Sequence, residues 1–95
     1  MTERPDSPQL AAMRRRLKFR SWHRGTREAD LLLGTFADRY LDGFSEEQLT
    51  RYDRLLGNSD PDLYNWLTGR ETVPADQDDD VMALLKEHEY QSKTD

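Results

Sequence analysis

Asp42-Gly43-Phe44-Ser45-Glu46-Glu47-Gln48-Leu49-Thr50-Arg51-Tyr52-Asp53-Arg54-Leu55-Leu56-Gly57 carries the signals of one complete helix. Asp42-Gly43 marks a turn. Ser45 and Gln48 stand at the two positions of a capping box, where each side chain satisfies the other residue's backbone N–H, and Phe44 and Leu49 bracket it as a hydrophobic staple. Leu49, Tyr52, Leu55 and Leu56 then recur at helical spacing. Gly57 closes the helix as a C-terminal cap. No stretch of the 95 residues alternates with the period of a strand, so the chain reads as all-α.

On the N-terminal side, Leu32, Leu33, Phe36, Ala37, Tyr40 and Leu41 give a wide apolar face to a helix opening at Thr26 or Arg27 and running to about Tyr40. This is the expected central helix. Gly34 in its middle costs up to about 1 kcal/mol relative to alanine, which predicts close contact with a neighbouring helix. Further back, Ser7-Pro8 reads as an N-cap and first helical position. That helix is expected to reach Phe19 or Arg20, with Leu10, Met13 and Leu17 as a narrow apolar stripe and Arg14, Arg15, Arg16, Lys18 and Arg20 as a basic face.

On the C-terminal side, Asp60-Pro61 starts a short helix with Leu63, Trp66 and Leu67 on one face, stopped by Gly69. Arg70 to Pro74 reads as a loop. A last helix is expected over about Ala75 to Glu89, with Asp76, Asp78, Asp79 and Asp80 near its positive end and Val81, Leu84, Leu85 and His88 packed. The expectation is a compact five-helix bundle, a single domain over residues 8–89, with a flexible segment at 1–7 and a frayed tail at 90–95.

Composition narrows the function classes. The apolar share is 35% and mean hydropathy is -1.02, so a core is credible only where apolar residues concentrate, between Leu31 and Leu67. Absence of cysteine excludes disulfides, thiolate metal sites and a cysteine nucleophile, and suits a reducing compartment. No apolar run approaches the length of a membrane span. Met1 to Asp6 holds two early acids and no apolar stretch, so no signal peptide or presequence is expected and the cytoplasm is the expected location. The net charge of -5 hides an asymmetry, because residues 1–28 are basic on balance and the remainder strongly acidic.

Catalytic constellations are missing. There is no nucleophile elbow, phosphate-binding loop or dinucleotide fingerprint. His23 and His88 each lack a second histidine or cysteine at ligand spacing, and the aspartates at 76–80 lack the calcium-loop pattern. The chain is expected not to be an enzyme. Two binding readings remain. Arg14 to Trp22 interleaves basic and aromatic residues, as nucleic-acid contacts require, although the pI near 5.0 opposes it. Against that stands a protein-docking surface: Trp22, Arg24, Arg27, Tyr64 and Trp66 are residue types that dominate interface hot spots. At its centre is Arg24-Gly25-Thr26-Arg27-Glu28. Gly25 allows close approach, Arg24 offers a planar fork, and Glu28 lies one turn on, where it either meets a partner's cation or braces Arg24. Asp62 and Asn65 read as ordinary solvated positions, and alanine at Arg24 or Glu28 is expected to leave the domain folded.

These motifs resemble a known family. Arg24-Gly25-Thr26-Arg27-Glu28, followed by Leu31-Leu32-Leu33-Gly34-Thr35-Phe36-Ala37, is similar to the Arg-Gly-x-x-Glu region of the succinate dehydrogenase flavinylation factors, the small bacterial SdhE proteins and their mitochondrial relatives. Leu55 to Leu67, with Asp60-Pro61-Asp62-Leu63-Tyr64-Asn65-Trp66-Leu67, resembles the family's second block. The likeness covers Leu17 to Leu85 and leaves the arginines at 14–16 unassigned. It implies a five-helix fold and a non-catalytic assembly factor or chaperone. Such a factor binds the flavoprotein subunit of succinate dehydrogenase, with the fumarate reductase subunit as a related partner, and promotes covalent attachment of FAD to a histidine there. It implies no stably bound cofactor, no nucleic acid, no membrane insertion and a monomer when free. By the same likeness Arg24, Gly25 and Glu28 form the interface centre, and Tyr64 and Trp66 fall in the second block. An antitoxin-like interaction protein is the remaining alternative.

Overall fold

The computed structural model describes residues 7–94, so the segment expected to be flexible lies outside the described residues except for Ser7. Five α-helices follow one another among them: α1 (Pro8–Trp22), α2 (Arg27–Tyr40), α3 (Glu46–Leu56), α4 (Asp60–Leu67) and α5 (Asp80–Thr94). Two single-turn 3-10 segments, Leu41–Gly43 and Ala75–Gln77, interrupt the connections, and no strand occurs among the described residues. The radius of gyration, 13.6 Å, is that of one packed domain, for which about 13 Å is ordinary at 100 residues.

Each helix starts where a side-chain oxygen meets its orphan N–H groups. Ser7 accepts from the Leu10 N–H at 3.1 Å, Thr26 from Ala29 at 3.2 Å and Ser59 from Asp62 at 3.2 Å. Ser45 and Gln48 form the full capping box, with Phe44 and Leu49 both buried beneath it. The fourth helix starts at Asp60 as expected, and because Ser59 is its cap the Asp60 carboxylate is left for other work. The last helix begins at Asp80 rather than Ala75, because Pro74 to Gln77 closes a 3-10 turn first. It also runs on past the expected end at Glu89, through Tyr90 to Thr94.

The core is built on α2. Phe36 is fully buried, and its ring lies 4.8 Å from Tyr40, 5.4 Å from Tyr52 and 5.6 Å from His88, centroid to centroid. Leu17 of α1, Leu49, Tyr52, Leu55 and Leu56 of α3, Leu63, Trp66 and Leu67 of α4, and Val81, Met82 and Leu85 of α5 close around it. Met82 takes the fully buried place expected of Leu84, which is only partly covered. Two of the buried polar side chains tie elements together. Tyr52 shares its hydroxyl with Ser21 at 2.7 Å and with the Leu33 carbonyl at 3.3 Å, and burial pushes the phenol well above its ordinary range.

Arg14 is the second, and it departs from the solvated basic face expected of it. It lies on the inner side of α1, 9% exposed, where its Nε donates to the Leu41 carbonyl at 2.9 Å and Nη2 to the Phe44 carbonyl at 2.6 Å. Those carbonyls belong to the turn after α2, where helix-end acceptors need donors. Lys18 and Arg20 are also engaged, with Asp42 at 3.0 Å and Asp53 at 2.6 Å.

Candidate functional site

The turn between α1 and α2 is held by contacts that sequence spacing does not reveal. Gly25 adopts φ +118°, a backbone conformation that side chains resist. A Cβ there would meet nothing within 4 Å, so the glycine is required for its φ and leaves open space above the turn. Asp30, one turn into α2, accepts the backbone N–H of Arg24 at 2.5 Å and of Gly25 at 3.3 Å. A carboxylate at a helix N-terminus also suits the local dipole.

Arg24 turns inward. Its Nε donates to Asp60 Oδ1 at 3.0 Å, Nη2 lies 2.8 Å from the same oxygen, Nη1 donates to the Leu56 carbonyl at 2.7 Å and Nη2 to the Asn58 carbonyl at 2.8 Å. The guanidinium thus closes the C-terminal end of α3 and ties it to the first residue of α4. With its side chain 12% exposed, Arg24 engages its fork inside the chain. Asp60 braces it, a role the sequence reading left open to Glu28. With these contacts Arg24→Ala is expected to cost stability rather than leave the domain unaffected.

The outward half of the motif is Thr26, Arg27 and Glu28, all exposed. Leu31 follows at 48% exposure and separates two hollows. One is walled by Trp22, His23, Gly25, Thr26, Arg27 and Asp30. The other is walled by Glu28, Leu32, Thr35, Tyr64 and Glu89. Tyr64 is half-buried there, and its phenol is raised above the ordinary range by burial and then by the negative charge of Glu28, Asp60 and Glu89.

Of the seven residues singled out in the sequence, the structure gathers Trp22, Gly25, Arg27, Glu28 and Tyr64 around Leu31. Trp66 is elsewhere, a core residue at 7% exposure. Trp22 lies across α2 so closely that a Cβ at Gly34 would overlap its indole, while its Nε1 reaches Asp38 at 3.4 Å. Gly34 therefore serves the close approach predicted for it, with an indole rather than a helix backbone as the neighbour. Leu31, Asp30 and Asp60 were missed. The exposed leucine one turn after Arg27 was the readable signal for Leu31. Behind the second hollow, His88 Nε2 bonds Thr35 Oγ1 at 2.9 Å while its buried Nδ1 lacks a partner, and burial lowers its pKa. No group of three potential metal ligands occurs among the described residues.

A family model described as flavinator of succinate dehydrogenase, Sdh5, matches residues 15–89 of this chain. The chain belongs to the Sdh5 family. The matched span begins in the middle of α1 and ends in α5, so it contains both the Gly25 turn and the Asp60–Leu67 helix that face each other through Arg24. Among curated relatives, the mitochondrial succinate dehydrogenase assembly factor 2-A of Drosophila willistoni is 46% identical over 88 residues, covering 90% of this chain and 55% of that protein. Assembly factor 2 of Drosophila virilis, also named mitochondrial, is 44% identical over 87 residues, 90% of this chain and 54% of its own. Assembly factor 2-B of Drosophila ananassae is 44% identical over 87 residues, with 90% and 53% covered. The chain spans about half the length of the curated relatives it matches. No helix among the described residues is long and apolar enough to cross a membrane.

Proposed function

We propose that this member of the Sdh5 family is a non-catalytic assembly factor that docks on the flavoprotein subunit of succinate dehydrogenase and promotes covalent attachment of FAD to it. The observation that carries the reading is the family match over residues 15–89, which spans an outward surface of Gly25, Arg27, Glu28, Leu31 and Tyr64 held in place by inward contacts. Attachment requires the flavin and the accepting side chain of the partner to be held in a reactive arrangement. A rigid surface that binds that arrangement better than a looser one raises its population. Arg24 and Asp30 supply the rigidity, because they fix the turn from two sides. Arg27 and Glu28 supply charge of both signs for orienting the encounter.

On this reading FAD belongs to the partner and none is resident in this chain. The flavoprotein of fumarate reductase is a second partner of the same kind. The free factor is a monomer and its compartment is the cytoplasm, with which a chain free of cysteine is compatible. The test is co-expression of the flavoprotein subunit with Gly25→Arg, read as in-gel flavin fluorescence. Bulk in the open space above the turn is expected to lower covalent FAD severalfold, and undiminished fluorescence overturns the proposal.

A further inference from the structure

The arginines at 14–16 have a divided fate. α1 carries five basic residues and no acid. Arg14, Lys18 and Arg20 are engaged within the chain. Arg15 and Arg16 are exposed and meet no carboxylate among the described residues. Arg15, Phe19 and His23 follow at intervals of four, so they form one ridge on the side of α1 opposite Leu17, with Arg16 beside them. Phe19 is 63% exposed. Its ring stacks on His23 with centroids 4.0 Å apart and planes at 20°, and the imidazole is anchored by Nδ1 at 2.7 Å from the Phe19 carbonyl.

A single exposed ring is ordinary on a protein surface, but this one is joined through His23 to the hollow walled by Trp22 and Leu31, so the apolar surface is continuous rather than isolated. Here the ring is also held flat by its neighbour. The ridge is continuous with the docking surface already described, because His23 walls the same hollow as Gly25 and Arg27. The remainder of the molecule is acidic on balance, so an acidic partner segment is repelled elsewhere and attracted here.

We infer that the Arg15-Arg16-Phe19-His23 ridge of α1 is a second contact strip for the same protein partner, receiving an acidic segment whose carboxylates meet the two arginines and whose apolar part lies on the Phe19–His23 stack. This rests on the proposed docking to the flavoprotein subunit and extends it along α1. Arg15 and Arg16 act chiefly on encounter, since exposed charges at an interface change association rate and salt dependence more than residence. Phe19 acts on residence, as a buried aromatic anchor does.

The experiment measures binding of the full chain to purified flavoprotein subunit at low and high salt, with circular dichroism to verify each variant's helicity. The double variant Arg15→Glu with Arg16→Glu is expected to weaken binding about 30-fold at low salt, mostly through the association rate, and to flatten the salt dependence. Phe19→Ser is expected to cost about tenfold through a faster dissociation rate. Arg70→Glu, an exposed basic position on the loop after α4, serves as control and is expected to change little. Affinities of the α1 variants within twofold of wild type, while Gly25→Arg weakens binding severalfold, overturn the strip and leave the parent reading standing. Failure of the wild-type chain to bind overturns both. Loss of binding to phosphatidylserine vesicles or to duplex DNA in the α1 variants, with flavoprotein affinity unchanged, also overturns the inference by assigning the ridge to a different surface.

Discussion

Arg24 and Arg27 stand three residues apart in one motif and face opposite ways. Arg24 is drawn into the chain by four polar contacts to α3, the α3–α4 link and α4. Arg27 and Glu28 stay on the surface beside Leu31. The difference teaches that one short motif holds both an internal support and an exposed face, and that a residue type common at interfaces can be engaged inside its own chain. An inward arginine sets where the outward pair stands.

That division is broken most forcefully at Arg24. Arg24→Ala strips Asp60 of its cation and takes a donor from the Leu56 carbonyl at the end of α3 and from the Asn58 carbonyl in the link, and is expected to cost about 3 kcal/mol of folding stability. Urea unfolding measures it, and a midpoint equal to wild type contradicts the inward role. Gly34→Ala comes next, because its methyl collides with the Trp22 indole; overpacking of this kind costs about 2 kcal/mol, read in the same titration. Gly25→Ala tests the hinge between the halves. With space available and only φ to penalise it, the expected loss is about 1 kcal/mol.

A smaller effect comes from His88, behind the outward half. Its folded-state pKa is depressed, so the unfolded chain takes up the proton first. Stability is therefore complete above the ordinary histidine range and falls as pH drops below about 6.5. Melting temperatures at neutral and mildly acidic pH measure this, and His88→Phe is expected to reduce the slope; an unaltered slope removes His88 as its source. The smallest stability change belongs to Glu28→Gln, within about 0.5 kcal/mol for an exposed position. Covalent flavin on the co-expressed partner is nevertheless expected to fall with it. Stability loss at Glu28 comparable to that at Arg24 erases the distinction between support and face.

What the sequence made legible follows the range of the interactions. The caps at Ser7, Thr26 and Ser45 bond N–H groups three residues away, so local pattern reveals them. The faces of α2 and α3 follow from periodicity for the same reason. Arg14 and Arg24 escaped because their acceptors are carbonyls 27 to 34 positions along the chain, and backbone acceptors leave no mark in a sequence. Trp66 was ambiguous since a tryptophan at i+3 from Leu63 suits either a core or a contact. Asp60 opens α4 as its sequence predicts, but a helix-start signal says nothing of where the carboxylate goes; with Ser59 as the cap, it is free to meet Arg24.

The two tryptophans also differ in what light can report. Trp66 is enclosed and Trp22 is only partly covered, lying over Gly34 at the wall of the hollow that contains Gly25. An indole so placed exchanges water for protein when that hollow is filled, whereas the enclosed one does not. With Trp66 as an internal constant, the emission of Trp22 gives this small chain a built-in optical gauge of its own occupancy.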